Sequence, residues 1–271
     1  MPSPRARRLD AAFAALRRAK RKAFVAYVTA GDPSLRATEK LAFELERSGV
    51  DVLELGVPFS DPLADGVVNQ LAAERALRAG TTLRKLLASV RAMRRRGLRL
   101  PIVFFTYFNP IHRHGPARFV RDAAAAGADG ALVLDLPLEE SAPWRKLMER
   151  AGLCPISLIA PTTPPARVRE VARAARGFIY YVSREGVTGE RRRLASGLGA
   201  RVARIRRAAR GTPVVIGFGV STPAQVRASA ALADGCVVGS AIVRRIAKIG
   251  NQPSLVPSVG RFVRSLTRPL R

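Results

Sequence analysis

Glu54, Asp61 and Asp65 stand in one run, Leu53-Glu54-Leu55-Gly56-Val57-Pro58-Phe59-Ser60-Asp61-Pro62-Leu63-Ala64-Asp65-Gly66, which ends an apolar strand with one carboxylate and supplies two more from a proline-stiffened loop. Carboxylates held in different environments can do acid–base chemistry, because one is kept protonated while another stays ionised. Side-chain alternation along a short strand over 51–55 sets Val52, Glu54 and Gly56 on one face, with Leu53 and Leu55 on the other. Glu54 therefore shares its surroundings with apolar atoms. A carboxylate so placed must pair, stay near solvent, or be held neutral with a raised pKa, because burying the bare charge is costly. The last of these states is a general acid.

Further polar, Gly- and Pro-rich segments follow apolar runs: Thr29-Ala30-Gly31-Asp32-Pro33, Tyr107-Phe108-Asn109-Pro110, Asp135-Leu136-Pro137, Pro161-Thr162-Thr163-Pro164 and residues 183–189. Gly217-Phe218-Gly219 and Gly239-Ser240 each come directly after a strand and before a helix. Backbone N–H groups exposed by glycine at a helix N-terminus bind phosphate, so Gly219, Gly239 and Ser240, joined by Gly189 from the sixth loop, form the expected phosphate site. His112 and His114 have no Cys or carboxylate to complete a metal-ligand pattern. They read as solvated loop histidines, and no metal site is expected.

These groups need a scaffold that gathers strand ends. Apolar runs at 23–28, 52–55, 102–105, 130–134, 155–159, 178–182, 214–216 and 235–238 alternate with helical patterns at 35–48, 83–95, 116–126, 139–151, 165–174, 200–209 and 223–232. Eight strands alternating with helices predict an α/β fold, a single (β/α)8 TIM barrel, whose strand C-termini and following loops build the site. Extra helices are expected at 9–20, between 70 and 78, and over 255–266. A doubly wound sheet would need a G-x-G-x-x-G turn after the first strand, and Thr29–Pro33 lacks it. Without a Pro/Ser-rich linker, residues 1–271 read as one domain, with 1–22 an N-terminal helical segment and 250–271 a C-terminal helical extension.

The 271 residues are 48% hydrophobic, enough for a large core, and no apolar run is long enough to span a bilayer. Cys154 and Cys236 fall in apolar strands and read as reduced core residues, which suits a cytoplasmic protein. The Arg-rich N-terminus has the Leu9/Phe13/Leu16 spacing of an amphipathic helix, a better fit than a transit peptide. The net charge of +27 invites a polyanion-binding reading. Arginines, however, are spread over almost every predicted helix, with no aromatic-interleaved platform or Cys/His finger. A solvated Arg-rich surface and a basic, non-catalytic scaffold or polyanion binder both stay open; neither implies specific nucleic-acid recognition or a membrane.

The run Glu54–Gly66, with Thr29–Pro33, Gly177-Phe178-Ile179-Tyr180-Tyr181-Val182-Ser183, Gly186-Val187-Thr188-Gly189 and Gly217-Phe218-Gly219, resembles the alpha subunit of tryptophan synthase, in order from about Leu9 to Arg245. The resemblance implies a lyase that cleaves indole-3-glycerol phosphate to indole and glyceraldehyde 3-phosphate without metal or organic cofactor. It also implies a pyridoxal-phosphate-dependent beta subunit as partner in an alpha-beta-beta-alpha heterotetramer. Carried over residue by residue, it makes Glu54 the acid–base group, Asp65 the acceptor of the indole N–H, and Tyr180 a substrate-positioning tyrosine. Thr188 would support Asp65, while Tyr27, Phe105, Tyr107, Leu132 and Phe218 would enclose the indole, and Pro58 and Asp61 would face the partner. Several positions depart from the family pattern. Ala26 and Val67 replace common prolines, Asn69 stands where an aliphatic residue is frequent, Leu134 is larger than usual, and Glu190–Arg193 is unusually basic. Losing the proline at Val67 is expected to loosen the loop that carries Asp65. Neighbouring phosphosugar barrels lack the Glu54–Gly66 run.

Overall fold

The computed structural model describes residues 6–182, 197–217 and 219–271. In chain order, α1 (Ala6–Arg18) leads into β1 (Ala23–Thr29), α2 (Leu35–Arg47), β2 (Val52–Gly56), α3 (Val67–Arg78), α4 (Leu83–Arg95) and β3 (Ile102–Thr106). Then come α5 (Phe108–His114), α6 (Pro116–Ala126), β4 (Gly130–Val133), α7 (Ala142–Arg150), β5 (Cys154–Ile159), α8 (Pro165–Ala174) and β6 (Ile179–Val182). The chain continues through α9 (Leu198–Ala208), β7 (Val214–Gly217), α10 (Pro223–Leu232), β8 (Gly235–Val238), α11 (Ser240–Ile249) and α12 (Leu255–Thr267).

The eight strands pair in parallel and close into a barrel in sequence order, β8 returning to β1. Both faces of each strand are covered, one by the barrel interior and one by helices, which is why the strands read as nearly continuous apolar runs. Val25, Tyr27, Val52, Val103, Leu132, Ile156, Tyr180, Val215 and Val237 fill the interior. Phe24, Leu53, Leu55 and Phe104 belong instead to the shell packed under the helices.

The amphipathic α1 lays Leu9, Phe13 and Leu16 against that interior cluster, with the Phe13 and Phe178 rings 5.7 Å apart. Phe178 immediately precedes β6, so α1 closes the N-terminal end of the barrel. The opposite, C-terminal end is left to the polar loops.

All eight strands lie where the sequence puts them, within two residues at their ends. The helices differ more. Helix α3 begins at Val67, before the expected Gln70, because Gly66 serves as an N-cap with no capping side chain to announce it. Helix α7 begins at Ala142, later than Glu139, with a proline in its first turn. The segment read as a loop around Asn109-Pro110 is the start of α5, where a first-turn proline is tolerated.

Candidate active site

Strand register brings the site together. Tyr27 of β1 lies opposite Glu54 of β2, and Glu54 lies opposite Val103 of β3. Glu54 is 0% exposed, and neither of its carboxyl oxygens has a hydrogen-bond partner among the described residues. Burial alone pushes its pKa up to about 8. The Tyr27 and Phe105 rings meet edge to face at 5.1 Å, and Phe105 and Tyr180 are 6.5 Å apart. Burial raises both tyrosine pKa values well above the ordinary range, and the Glu54 and Asp65 charges add to the shift.

Two glycines make room for these phenols. A Cβ at Gly56 would lie 2.3 Å from Tyr27 Oη, and one at Gly217 would lie 2.2 Å from Tyr180 Oη. Neither site can carry a side chain without displacing its tyrosine.

Asp65 is also buried, but it has partners. Tyr107 Oη donates to Oδ2 at 3.0 Å, and Asn69 Nδ2 donates to Oδ1 at 3.3 Å. Gln70 Nε2 donates to the Asp65 backbone carbonyl at 2.8 Å, and the Ala64 N–H donates to Tyr107 Oη at 3.0 Å. Burial raises the Asp65 pKa above the ordinary carboxylate value, and the Tyr107 and Asn69 hydrogen bonds offset part of that rise. One carboxyl is therefore bare and favours its proton, while the other has donors that favour its charge.

At the ends of β7 and β8, Gly219 has a left-handed φ of +76°, and Gly239 is the N-cap of α11 with no side-chain cap. Helix α10 differs, since Thr222 and Gln225 form a reciprocal capping box there. The uncapped start of α11, with Ser240 as its first residue, is the helix end better suited to an anion. A Cβ at Gly239 would lie 3.3 Å from Tyr27, so this end adjoins the aromatic lining.

Of the residues assigned from sequence, Glu54, Tyr27, Phe105, Leu132 and Tyr180 share the barrel interior, and Leu134 packs against that cluster. Tyr107 sits beyond β3 with Asp65, its ring 5.4 Å from that of Phe59. Pro58 is half-buried and Asp61 is exposed. Thr188, Gly189, Phe218 and Glu190–Arg193 lie outside the described residues.

The two histidines lie in a helix rather than a loop, and of the two only His112 is solvent-exposed. His112 and His114 belong to α5, and His114 Nε2 contacts Asp122 Oδ2 at 2.8 Å with only 18% of its side chain exposed. The partner was hidden from sequence reading because α5 and α6 meet across Gly115. Two features were not anticipated. Asn69, noted only as a departure, holds Asp65. Arg75 of α3 grips the buried Asp32 with two hydrogen bonds of 2.9 and 2.7 Å, fastening the helix behind Asp65 to the loop after β1. The amide pair Asn69-Gln70, four and five residues after Asp65, was the available signal.

A closed parallel barrel with a proton-holding carboxyl inside its mouth and a second, hydrogen-bonded carboxylate on the following loop defines a (β/α)8-barrel enzyme of acid–base type. Residues 13–264 match the family described as Tryptophan synthase alpha chain. The chain is 54% identical over 237 residues to the tryptophan synthase alpha chain of Geobacter sulfurreducens, covering 88% of this chain and 89% of that one. It is 52% identical over 238 residues to that of Geotalea daltonii, with the same coverage. Among solved structures, Mycobacterium tuberculosis tryptophan synthase superposes with a TM-score of 0.88 at 36% identity, covering 97% of this chain and 98% of that one. The chain belongs to the tryptophan synthase alpha chain family. It is a carbon–carbon lyase of tryptophan biosynthesis, acting on indole-3-glycerol phosphate.

Proposed function

We propose that Glu54 is the proton shuttle of indole-3-glycerol phosphate cleavage and that Asp65 holds the indole nitrogen. Reversing the aldol needs a proton on the ring carbon that bears the glycerol chain, and loss of the proton from the adjacent hydroxyl. Protonated Glu54 supplies the first proton. The resulting carboxylate takes the second as the carbon–carbon bond breaks and its electron pair returns to the ring, leaving indole and an aldehyde with Glu54 reprotonated. Asp65, ionised, accepts the indole N–H and balances the positive ring. The observation that carries this reading is Glu54, wholly buried without a partner among the described residues and retaining its proton to about pH 8.

Tyr180 positions the substrate, while Tyr27, Phe105, Tyr107 and Leu132, with Thr188 and Phe218, exclude water from the ring. The phosphate binds at Gly219, Gly239 and Ser240, completed by Gly189. The chain works as one cytoplasmic domain without a cofactor of its own. Its partner is a beta subunit carrying pyridoxal phosphate, in an alpha-beta-beta-alpha heterotetramer that docks over Pro58 and Asp61. No helix among the described residues is long and apolar enough to cross a membrane.

Purified chain should release indole from indole-3-glycerol phosphate slowly alone and faster with a beta subunit. Glu54→Gln should nearly abolish release while leaving binding of phosphate-bearing ligands intact. Parental turnover in that variant would reject the assigned role.

A further inference from the structure

Resting on that reading of Asp65, we propose that Asn69 is a positioning residue of the reaction, its amide fixing the Asp65 carboxylate in the ionised, acceptor state. The geometry is specific. Asp65 immediately precedes Gly66, the N-cap of α3, and Asn69 sits in the helix's first turn. Its side chain reaches back past the cap to Asp65 Oδ1 while Tyr107 holds Oδ2, so each carboxylate oxygen has its own donor. Neither donor carries a formal charge at neutral pH, so it is hydrogen bonds rather than a cation that favour the ionised form of Asp65 against its burial.

A structural role for Asn69 would look different. A first-turn amide that caps a helix donates or accepts at the N-cap backbone, yet Gly66 receives no side-chain cap. Gln70 meets the backbone need, donating to the Asp65 carbonyl. Asn69 also keeps its own carbonyl oxygen, Oδ1, buried with no hydrogen-bond partner among the described residues. An orphaned buried acceptor is unfavourable in a fold and calls for an explanation. With Nδ2 donating to Asp65, the orientation of the amide is set by that bond at the expense of its own oxygen.

The test is the pH profile of indole release. The titratable groups that share this pocket are Glu54 on β2, Tyr27 on β1, Tyr107 after β3 and Tyr180 on β6. Burial and the carboxylate charges raise all three tyrosines, so they stay protonated through the assay range. Glu54, its pKa raised to about 8 and its proton needed, sets the alkaline limb, and the acid limb is left to Asp65. Removing the Asn69 donor raises the Asp65 pKa, so the acid limb moves to higher pH. Asn69→Leu should shift that limb upward by roughly one pH unit and lower kcat roughly ten-fold on its acid side. Asn69→Ala, which retains high helix propensity, should give the same shift, and Asn69→Gln should restore part of it.

An acid limb that stays in place in both Asn69→Leu and Asn69→Ala overturns the proposal, whatever happens to kcat at its plateau. Asp65→Asn separates the two levels of inference. If it is inactive while the Asn69 variants keep the parental profile, the Asp65 reading stands and the positioning role fails. If Asp65→Asn keeps parental turnover, the reading of Asp65 fails and the role of Asn69 falls with it.

Discussion

An unfolded glutamate releases its proton near pH 4.5, but burial lets folded Glu54 keep it to about pH 8. Between these values the folded state binds more protons than the unfolded state, so this group's contribution to stability falls as pH rises, and it levels off above about 8. The penalty for an ionised, unpartnered Glu54 should reach a few kcal/mol on the alkaline side, on the order set by 1.4 kcal/mol per pKa unit. A neutral glutamine escapes it. Thermal unfolding should therefore find Glu54→Gln close to the parent at about pH 5 and clearly more stable at about pH 8.5, the variant that loses catalysis gaining alkaline stability. A constant difference across that range would show that Glu54 does not hold its proton on folding. The apolar setting of Glu54 was legible in the sequence, because alternation places it among apolar neighbours, but that it is unpartnered rather than paired or near solvent was not. The hydrogen bonds to Asp65 left only the nearby Asn69-Gln70 pair as a signal, because they depend on how α3 turns back over its own N-cap and on Tyr107 arriving from a different strand.

Helix α3 carries both the Asp65 support and its own anchor. Its Arg75 reaches the buried Asp32 carboxylate, so the start of the helix is fixed relative to the end of β1. Arg75→Met would leave Asp32 buried without that cation. The cost should be about 2 kcal/mol, below the figure for a wholly buried pair because the Arg75 side chain is 33% exposed. A loss of stability should appear as a lower denaturation midpoint with an unchanged denaturant slope, and kcat should fall several-fold as Asp65 loses its fixed support. Unchanged kcat in a destabilised Arg75→Met would confine the clamp to folding. The strands and barrel closure were readable because both sides of every strand must be apolar, which leaves a run that no surface element imitates. Helix starts were harder. Val67-Val68 follows a glycine cap and looks extended, and α5 has only seven residues, too few for a helical period to show. Cross-element contacts such as Arg75 to Asp32 or His114 to Asp122 have no sequence pattern at all.

Over the whole molecule the charge of +27 comes from 47 basic residues set against 20 acids rather than from one basic platform. Several acids are tied to arginines between helices or beneath them, as in Arg94 to Asp129, Arg264 to Glu44 and Arg96 to Glu39. The surplus arginines are spread over the helices, a distribution with no platform that would select a nucleic-acid sequence. Apolar exposure has the opposite, concentrated character. Among the described residues the large exposed hydrophobics are Leu63 at 81%, Val67 at 62%, Leu71 at 48% and Leu77 at 36%. The first three recur every fourth residue from the Asp65 loop into α3, which puts Val67 and Leu71 on one helix face. Exposed Asp61 lies two residues before Leu63. Apolar side chains this exposed beside an active-site loop fit burial by a partner, and the beta subunit is the partner proposed for this face. Leu63 is 81% exposed and has no assigned part in catalysis, so Leu63→Ser should leave indole release by the isolated chain unchanged. Losing one apolar anchor should raise the beta-subunit concentration needed for half-maximal stimulation by roughly ten-fold, equivalent to about 1.4 kcal/mol. A titration curve identical to the parent's would move the docking face away from this loop, and with it the roles proposed for Pro58 and Asp61.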